Sequence, residues 1–269
     1  MEAGLDLPGI DFTDEDFGRL EWAKATLENP GLAIRMANLV GKPLDRALRY
    51  LPPAAQQAIT RATDGAINQC LKAALRTLED APEKRAPRKD LHKFAVGLTG
   101  ALGGAFGLTA LAIELPVTTT LMFRSICAIA REQGEDLDSP DARLQCLTVL
   151  ALGGPSSSDD DAETGYFAVR TALAELISQS LGEMAALGAG GAASSGLLRL
   201  ASRVAERFSI HVTQQAAAKS IPVVGAVLGA TINTLFMDHF QSMAEAHFTI
   251  RRLERKYGSE VVDIAYRSL

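Results

Sequence analysis

The feature that most restricts the fold is an apolar stretch, residues 94–123, in which Glu114 is the only charged side chain. A run of this kind has to be covered by other protein segments or by lipid. Aromatic residues make up only 6% of the chain, and Gly, Ala and Leu dominate the apolar segments, which favours closely packed helices over sheets. No segment alternates between apolar and polar residues over a useful length. We therefore predict an all-α, multi-helix bundle with central Gly/Ala-rich apolar helices.

Pairs of glycines lie four residues apart in two apolar segments, residues 95–113 and 221–237. Each pair puts two small residues on the same side of a helix, where another helix can approach closely. Such pairs occur both in membranes and in the centres of soluble bundles. The many glycines and a mean hydropathy of +0.08 favour a soluble or peripheral protein, with stable or conditional membrane insertion as the alternative. The pairs are Gly100/Gly104, Gly103/Gly107 and Gly225/Gly229.

Prolines and charged segments predict where the elements end. Thr13 is expected to cap the first helix, and Pro116 is expected to divide the apolar stretch into two helices, because a residue before proline avoids the α region. We divide the chain into a helical N-terminal extension, residues 1–29, and an all-helical domain, residues 30–269. The proline- and charge-rich residues 80–89 form a linker in this interpretation.

Composition and motifs exclude several classes of function. A net charge of −5 makes nucleic acid an improbable partner. The first residues contain no secretory signal, so we predict a cytoplasmic location, or one peripheral to the inner membrane. The glycine runs lack a phosphate-binding lysine motif, and the contiguous acids at residues 159–161 lack the spacing of a calcium loop. We therefore predict no cofactor and no metal, and buried thiols at Cys70, Cys127 and Cys146.

Glu114 is the first candidate for a functional residue. An isolated carboxylate in an apolar segment must be solvated, paired or protonated. Arg124, Arg170 and Lys219 are its possible partners after folding. Glu114 is then either a perturbed acid in a cleft or half of an ion pair at a helix end.

A second candidate group lies on the long C-terminal helix, predicted over residues 223–257. His239 and His247 are eight residues apart on one face, which separates them by about 12 Å and is too far for one metal ion. His247, Arg251 and Glu254 either line a polar site on successive turns or form a hydrated, charge-paired face.

Three segments together resemble the EcsC family of bacterial proteins. They are the Glu114-Leu115-Pro116 junction, the following VTTTLMFRSICAIAREQGEDLDSPDARLQCLTVLALGG, and KSIPVVGAVLGATINTLFMDHFQSMAEAHFTIRRLERKYG. The resemblance covers roughly residues 30–260, and Gln133 stands where the family often has tyrosine. It implies no established catalytic residue, but it implies a recurring polar pattern. That pattern consists of Glu114, Arg124, Asn233, His239, His247, Arg251, Arg252 and Glu254.

The resemblance and the glycine-faced helices predict a non-enzymatic, membrane-associated accessory or interaction protein. Its partner would be a membrane surface or a membrane protein, since the family is named after a protein encoded beside an ABC transporter. One alternative is a hydrolase- or peptidase-like enzyme with its site near Glu114 and the His239/His247 face. Another is a binder of an apolar ligand. The catalytic candidates for the enzyme are Glu114, Arg124, His239, His247, Arg251 and Glu254.

Overall fold

The computed structural model describes residues 12–28, 31–76, 108–153, 165–187 and 195–269. Within these ranges the chain forms ten α-helices and one 3₁₀ turn, Val149–Ala151, and contains no strand, which confirms the all-α prediction. The helices are α1 (Asp14–Glu28), α2 (Gly31–Val40), α3 (Lys42–Arg49), α4 (Pro53–Arg76), α5 (Leu108–Glu132), α6 (Pro140–Thr148), α7 (Tyr166–Leu187), α8 (Ser195–Ser220), α9 (Pro222–Tyr257) and α10 (Ser259–Ser268).

Helix α9 is the axis of the bundle. It contains 36 residues, which corresponds to a length of about 54 Å. Asn233 and Gln241 of α9 donate hydrogen bonds to Glu114 and Ser125 of α5, so residue numbers rise together and the two helices are parallel. Helix α8 is antiparallel to both, because Lys219 in its last turn meets Glu114 near the start of α5.

Aromatic side chains fill the space between α8 and α9. The ring of Phe208 lies 5.9 Å from that of Phe236 and 5.4 Å from that of Phe240, measured between centroids. All three rings are buried. Burial of each ring contributes on the order of 2 kcal/mol, so this cluster fixes how the two helices pack.

Helix α1 packs along the C-terminal part of α9. Leu20, Ala23 and Leu27 form its buried stripe, and the Thr13 hydroxyl accepts a hydrogen bond from the Asp16 amide at 3.2 Å, as predicted for a cap. Asp16 itself is buried and accepts a hydrogen bond from Lys256 of α9 at 2.6 Å. The described part of the N-terminal extension is therefore packed and charge-paired.

The predicted break at Pro116 is wrong, because α5 continues through this residue as one helix. Proline removes one helical hydrogen bond, but nearby threonines bind the adjacent carbonyl groups. The Thr118 hydroxyl donates to the carbonyls of Glu114 and Leu115, both at 3.1 Å, and the Thr120 hydroxyl donates to that of Pro116 at 2.7 Å. These hydroxyls do not replace the hydrogen bond lost at Pro116, so packing of α5 on α4 and α9 accounts for the continuous helix.

Several predicted features fall outside the described residues. They are the linker at residues 80–89, the glycine pairs between residues 100 and 107, and the acidic residues 159–161. The remaining pair, Gly225 and Gly229, is buried on α9. In the part of the chain that the structure describes, no helix has both the length and the hydropathy needed to cross a bilayer.

Gly153 follows the 3₁₀ turn and has a φ of +73°, in the region that favours glycine. A Cβ atom there would lie 2.7 Å from Cε1 of His239 and 2.9 Å from Sδ of Met243. We expect Gly153→Ala to lower the free energy of unfolding by about 2–4 kcal/mol, measured by urea denaturation.

Gly65→Ala in α4 is the matched control, because a Cβ atom there meets nothing within 4 Å. It should raise the free energy of unfolding by up to about 1 kcal/mol, since alanine favours helix more than glycine does. Equal effects of the two substitutions would contradict the role assigned to Gly153.

Candidate functional site

Four polar side chains form a buried network, the Glu114 network, where α5, α8 and α9 meet. Oε1 of Glu114 accepts hydrogen bonds from Nζ of Lys219 at 2.5 Å and from Nδ2 of Asn233 at 2.7 Å. Nε2 of Gln215 donates to Oδ1 of Asn233 at 2.6 Å. All four side chains are buried. The network therefore joins one carboxylate, one ammonium group and two amides across three helices.

Lys219 is the partner of Glu114 among the three cations considered from the sequence. Arg124 lies exposed on α5, and Arg170 forms an ion pair with Glu254. Burial lowers the pKa of Lys219 below its usual value, against the opposing effect of Glu114. Glu114 thus has the ion-pair role that the sequence left open, but within a continuous helix rather than at a helix end.

Two histidines, His211 of α8 and His239 of α9, form a second buried cluster. Their ring centroids lie 5.1 Å apart. Nε2 of His211 is 3.2 Å from the carbonyl oxygen of Leu152, and this nitrogen carries the proton because a carbonyl only accepts. Burial lowers the pKa of His211 to about 4 and that of His239 to about 3. Both imidazoles are therefore neutral at pH 7.

His211 was not among the sequence candidates. It lies 28 residues before His239 on a different helix, and no local spacing connects the two. Only the antiparallel packing of α8 on α9 brings them together.

The third cluster joins α7 to α9. Nδ1 of His247 and the Tyr166 hydroxyl are hydrogen-bonded at 2.8 Å. Burial lowers the pKa of His247 and raises that of Tyr166. One turn further along α7, Arg170 donates two hydrogen bonds of 2.6 Å to the carboxylate of Glu254. This bidentate geometry makes the cluster a strong link between the helices.

Arg251 belongs to a fourth cluster, around Glu135 at the C-terminal end of α5. It donates hydrogen bonds of 2.9 and 3.0 Å to the two oxygens of Glu135, and Arg255 is a further partner of the same carboxylate. Burial acts to raise the pKa of Glu135, but the hydrogen bonds and charges of Arg251 and Arg255 together outweigh it and hold this pKa below its usual value. The neighbouring Arg252 instead contacts Asp16 of α1 at 3.4 Å.

The six sequence candidates are therefore spread over α5, which carries Glu114 and Arg124, and α9, which carries the other four, rather than gathered in one cleft. Asn233, which binds Glu114, and His247 are separated by 14 residues of α9, or about 21 Å of axial rise. A surface groove of about 410 Å³ between α1, α5 and α9 is lined by none of the six. Glu114, His247, Arg251 and Glu254 each have a hydrogen-bond partner of their own, His239 packs against the ring of His211, and Arg124 is exposed.

The side chains that the structure describes contain no group of three or more His, Cys, Asp or Glu residues arranged to hold a metal ion. Cys70 and Cys146 are buried, Cys127 is half-buried, and all three are free thiols. Burial raises the pKa of the Cys70 thiol to about 12, which keeps it protonated and unreactive at neutral pH.

These clusters and the helical architecture define the class: an all-α bundle whose long central helix is joined to its neighbours by buried polar links. The chain belongs to the EcsC protein family, whose model matches residues 17–253. This match confirms the resemblance seen in the sequence and extends it into α1. No curated protein and no solved structure matches the chain.

Removing one member of the buried Glu114–Lys219 pair should be far more costly than removing an exposed ion pair. We expect Lys219→Met to lower the free energy of unfolding by about 3–5 kcal/mol, because it leaves a buried carboxylate without its cation. The double variant Glu114→Gln/Lys219→Met should recover a large part of this loss. Urea denaturation measures both.

Arg203→Ala is the control, since Arg203 and its partner Glu206 have side chains 51% and 65% exposed. Its cost should be below about 1 kcal/mol. A Lys219→Met variant as stable as Arg203→Ala would show that the buried pair is not a structural link.

The histidine pair predicts a dependence of stability on pH. Because the folded-state pKa values of His211 and His239 lie well below 6.5, the unfolded chain takes up protons first as pH falls. Stability is complete above about pH 6.5 and decreases towards pH 4. Between pH 7.5 and pH 5.5, each of these histidines should lower the free energy of unfolding by about 1 kcal/mol.

His239→Phe should reduce the loss of unfolding free energy between pH 7.5 and pH 5.5 by about 1 kcal/mol, which is the contribution of one histidine. Urea denaturation at the two pH values measures it. Asp16 and Glu135 have pKa values lowered from 3.8 and 4.5, so they titrate below this window. A wild-type stability that does not change between the two pH values would contradict the assignment.

Proposed function

We propose that this EcsC-family protein is a non-enzymatic accessory or interaction protein that associates with a membrane surface. The observation that carries the proposal is a pair of large side chains on α2 and at the end of α3. Tyr50 is 75% exposed and Ile34 is 53% exposed, whereas Leu32, Met36 and Leu44 on the same two helices are buried. We call the exposed surface of these helices the α2–α3 face; it comprises Ile34, Arg35, Lys42, Arg46, Arg49 and Tyr50.

The chemistry of this face suits the boundary between water and lipid. Tyrosine has an apolar ring with a polar tip and is enriched at membrane interfaces. Both helices pack on α8, and α2 also packs on α9. The core of the bundle therefore fixes the two helices that carry the exposed side chains. Docking a face of this kind requires no membrane-spanning helix.

The arrangement of the polar residues supports a non-enzymatic role. A hydrolase would need nucleophile, base and oxyanion donors within reach of one reacting atom. Glu114 contacts Asn233, which precedes His239 by six residues and His247 by 14, about 9 and 21 Å of axial rise. Glu114 and His247 each have a partner that accounts for their presence. The geometry therefore gives the hydrolase hypothesis less support than the accessory role.

Flotation with phospholipid vesicles that contain both neutral and anionic lipids tests the proposal. We expect the full chain to float with the vesicles, and Ile34→Ser/Tyr50→Ser to reduce the bound fraction about tenfold, because interfacial apolar contacts are lost. Ile264→Ser/Leu198→Ser removes two exposed apolar side chains elsewhere on the surface and is the control. A wild-type protein that stays at the bottom of the gradient with every vesicle composition would overturn the proposal.

A further inference from the structure

The α2–α3 face has a charge opposite to that of the whole protein. Residues 31–50 contain four basic side chains and one acidic side chain, Asp45, although the chain as a whole has a net charge of −5. The basic residues are Arg35, Lys42, Arg46 and Arg49, and all four are exposed. A local positive field therefore lies on an acidic protein.

The spacing on α3 places three of these cations together. Lys42, Arg46 and Arg49 are separated by four and three residues, so they form one stripe along the helix. The buried Leu44 anchors the opposite side of α3 in the core. Tyr50 follows directly, and Asp45 flanks the stripe without cancelling its charge.

These cations differ from the cations that link α9 to its neighbours. Arg170 of α7 and Arg251 and Lys256 of α9 each have a carboxylate partner. Within the described ranges, by contrast, Arg35, Lys42, Arg46 and Arg49 have no ion-pair partner. A phosphate that binds here would not have to displace a carboxylate of the residues that the structure describes.

We infer that the α2–α3 face selects anionic phospholipid headgroups in a bilayer surface, with Ile34 and Tyr50 entering the interface between the bound headgroups. This inference rests on the proposed membrane association. Charge complementarity carries it, because each basic side chain near an anionic leaflet adds about fivefold to the affinity. Arginine, which supplies three of the four cations, also binds phosphate oxygens in a bidentate manner.

Flotation in parallel with two vesicle types, phosphatidylcholine alone and phosphatidylcholine with phosphatidylglycerol, tests the inference. We expect the full chain to bind the anionic vesicles at least about tenfold more tightly, and to release them as salt rises. Arg46→Glu/Arg49→Glu should remove this preference. Arg199→Glu/Arg203→Glu makes the same change of charge on exposed positions of α8 and should keep it.

The outcomes separate this inference from the proposed function. Equal binding to both vesicle types would overturn the charge selectivity and leave membrane association standing, whereas absence of binding to either would overturn both. An equal loss of binding to anionic vesicles in the two double variants would show that the net charge of the protein, rather than the α2–α3 face, determines the preference. Binding of a short DNA duplex as tight as that of anionic vesicles would overturn the assignment to lipid.

Discussion

The ion pair between Glu114 and Lys219 is the constraint on which the centre of the bundle depends. A single carboxylate buried in an apolar stretch has a large desolvation cost unless a cation and further donors surround it. Lys219 and Asn233 supply them from α8 and α9. Satisfying one charge therefore fixes the relative position of three helices, and it does so two residues from Pro116, where α5 has lost a hydrogen bond of its own.

The sequence predicts those features of the fold that depend on local rules. Helix α9 was expected over residues 223–257 and is observed as Pro222–Tyr257, because Pro222 and Gly258 mark both ends and apolar periodicity connects them. The same kind of rule failed at Pro116. There, packing on α4 and α9 outweighs the intrinsic preference of proline to interrupt a helix.

The sequence did not predict which residues far apart in the chain contact each other. The sequence offered three cations as possible partners of Glu114. It could not show that Lys219, 105 residues away, is the one that binds it. His211 showed no signal at all, since its neighbour His239 becomes adjacent only after α8 folds back on α9. The placement of Arg251 beside Glu135, rather than in a site with His247, also follows from tertiary packing alone.

The parallel arrangement of α5 and α9 has a mechanical consequence. Two links cross between them, Glu114 to Asn233 and Ser125 to Gln241, and Glu135, three residues beyond the end of α5, forms a third with Arg251. Sliding one helix past the other by a single turn, about 5.4 Å, would break all three at once. These links therefore hold the two helices in one register. Movements that keep this register, such as a joint tilt of α5 and α9, leave all three links intact.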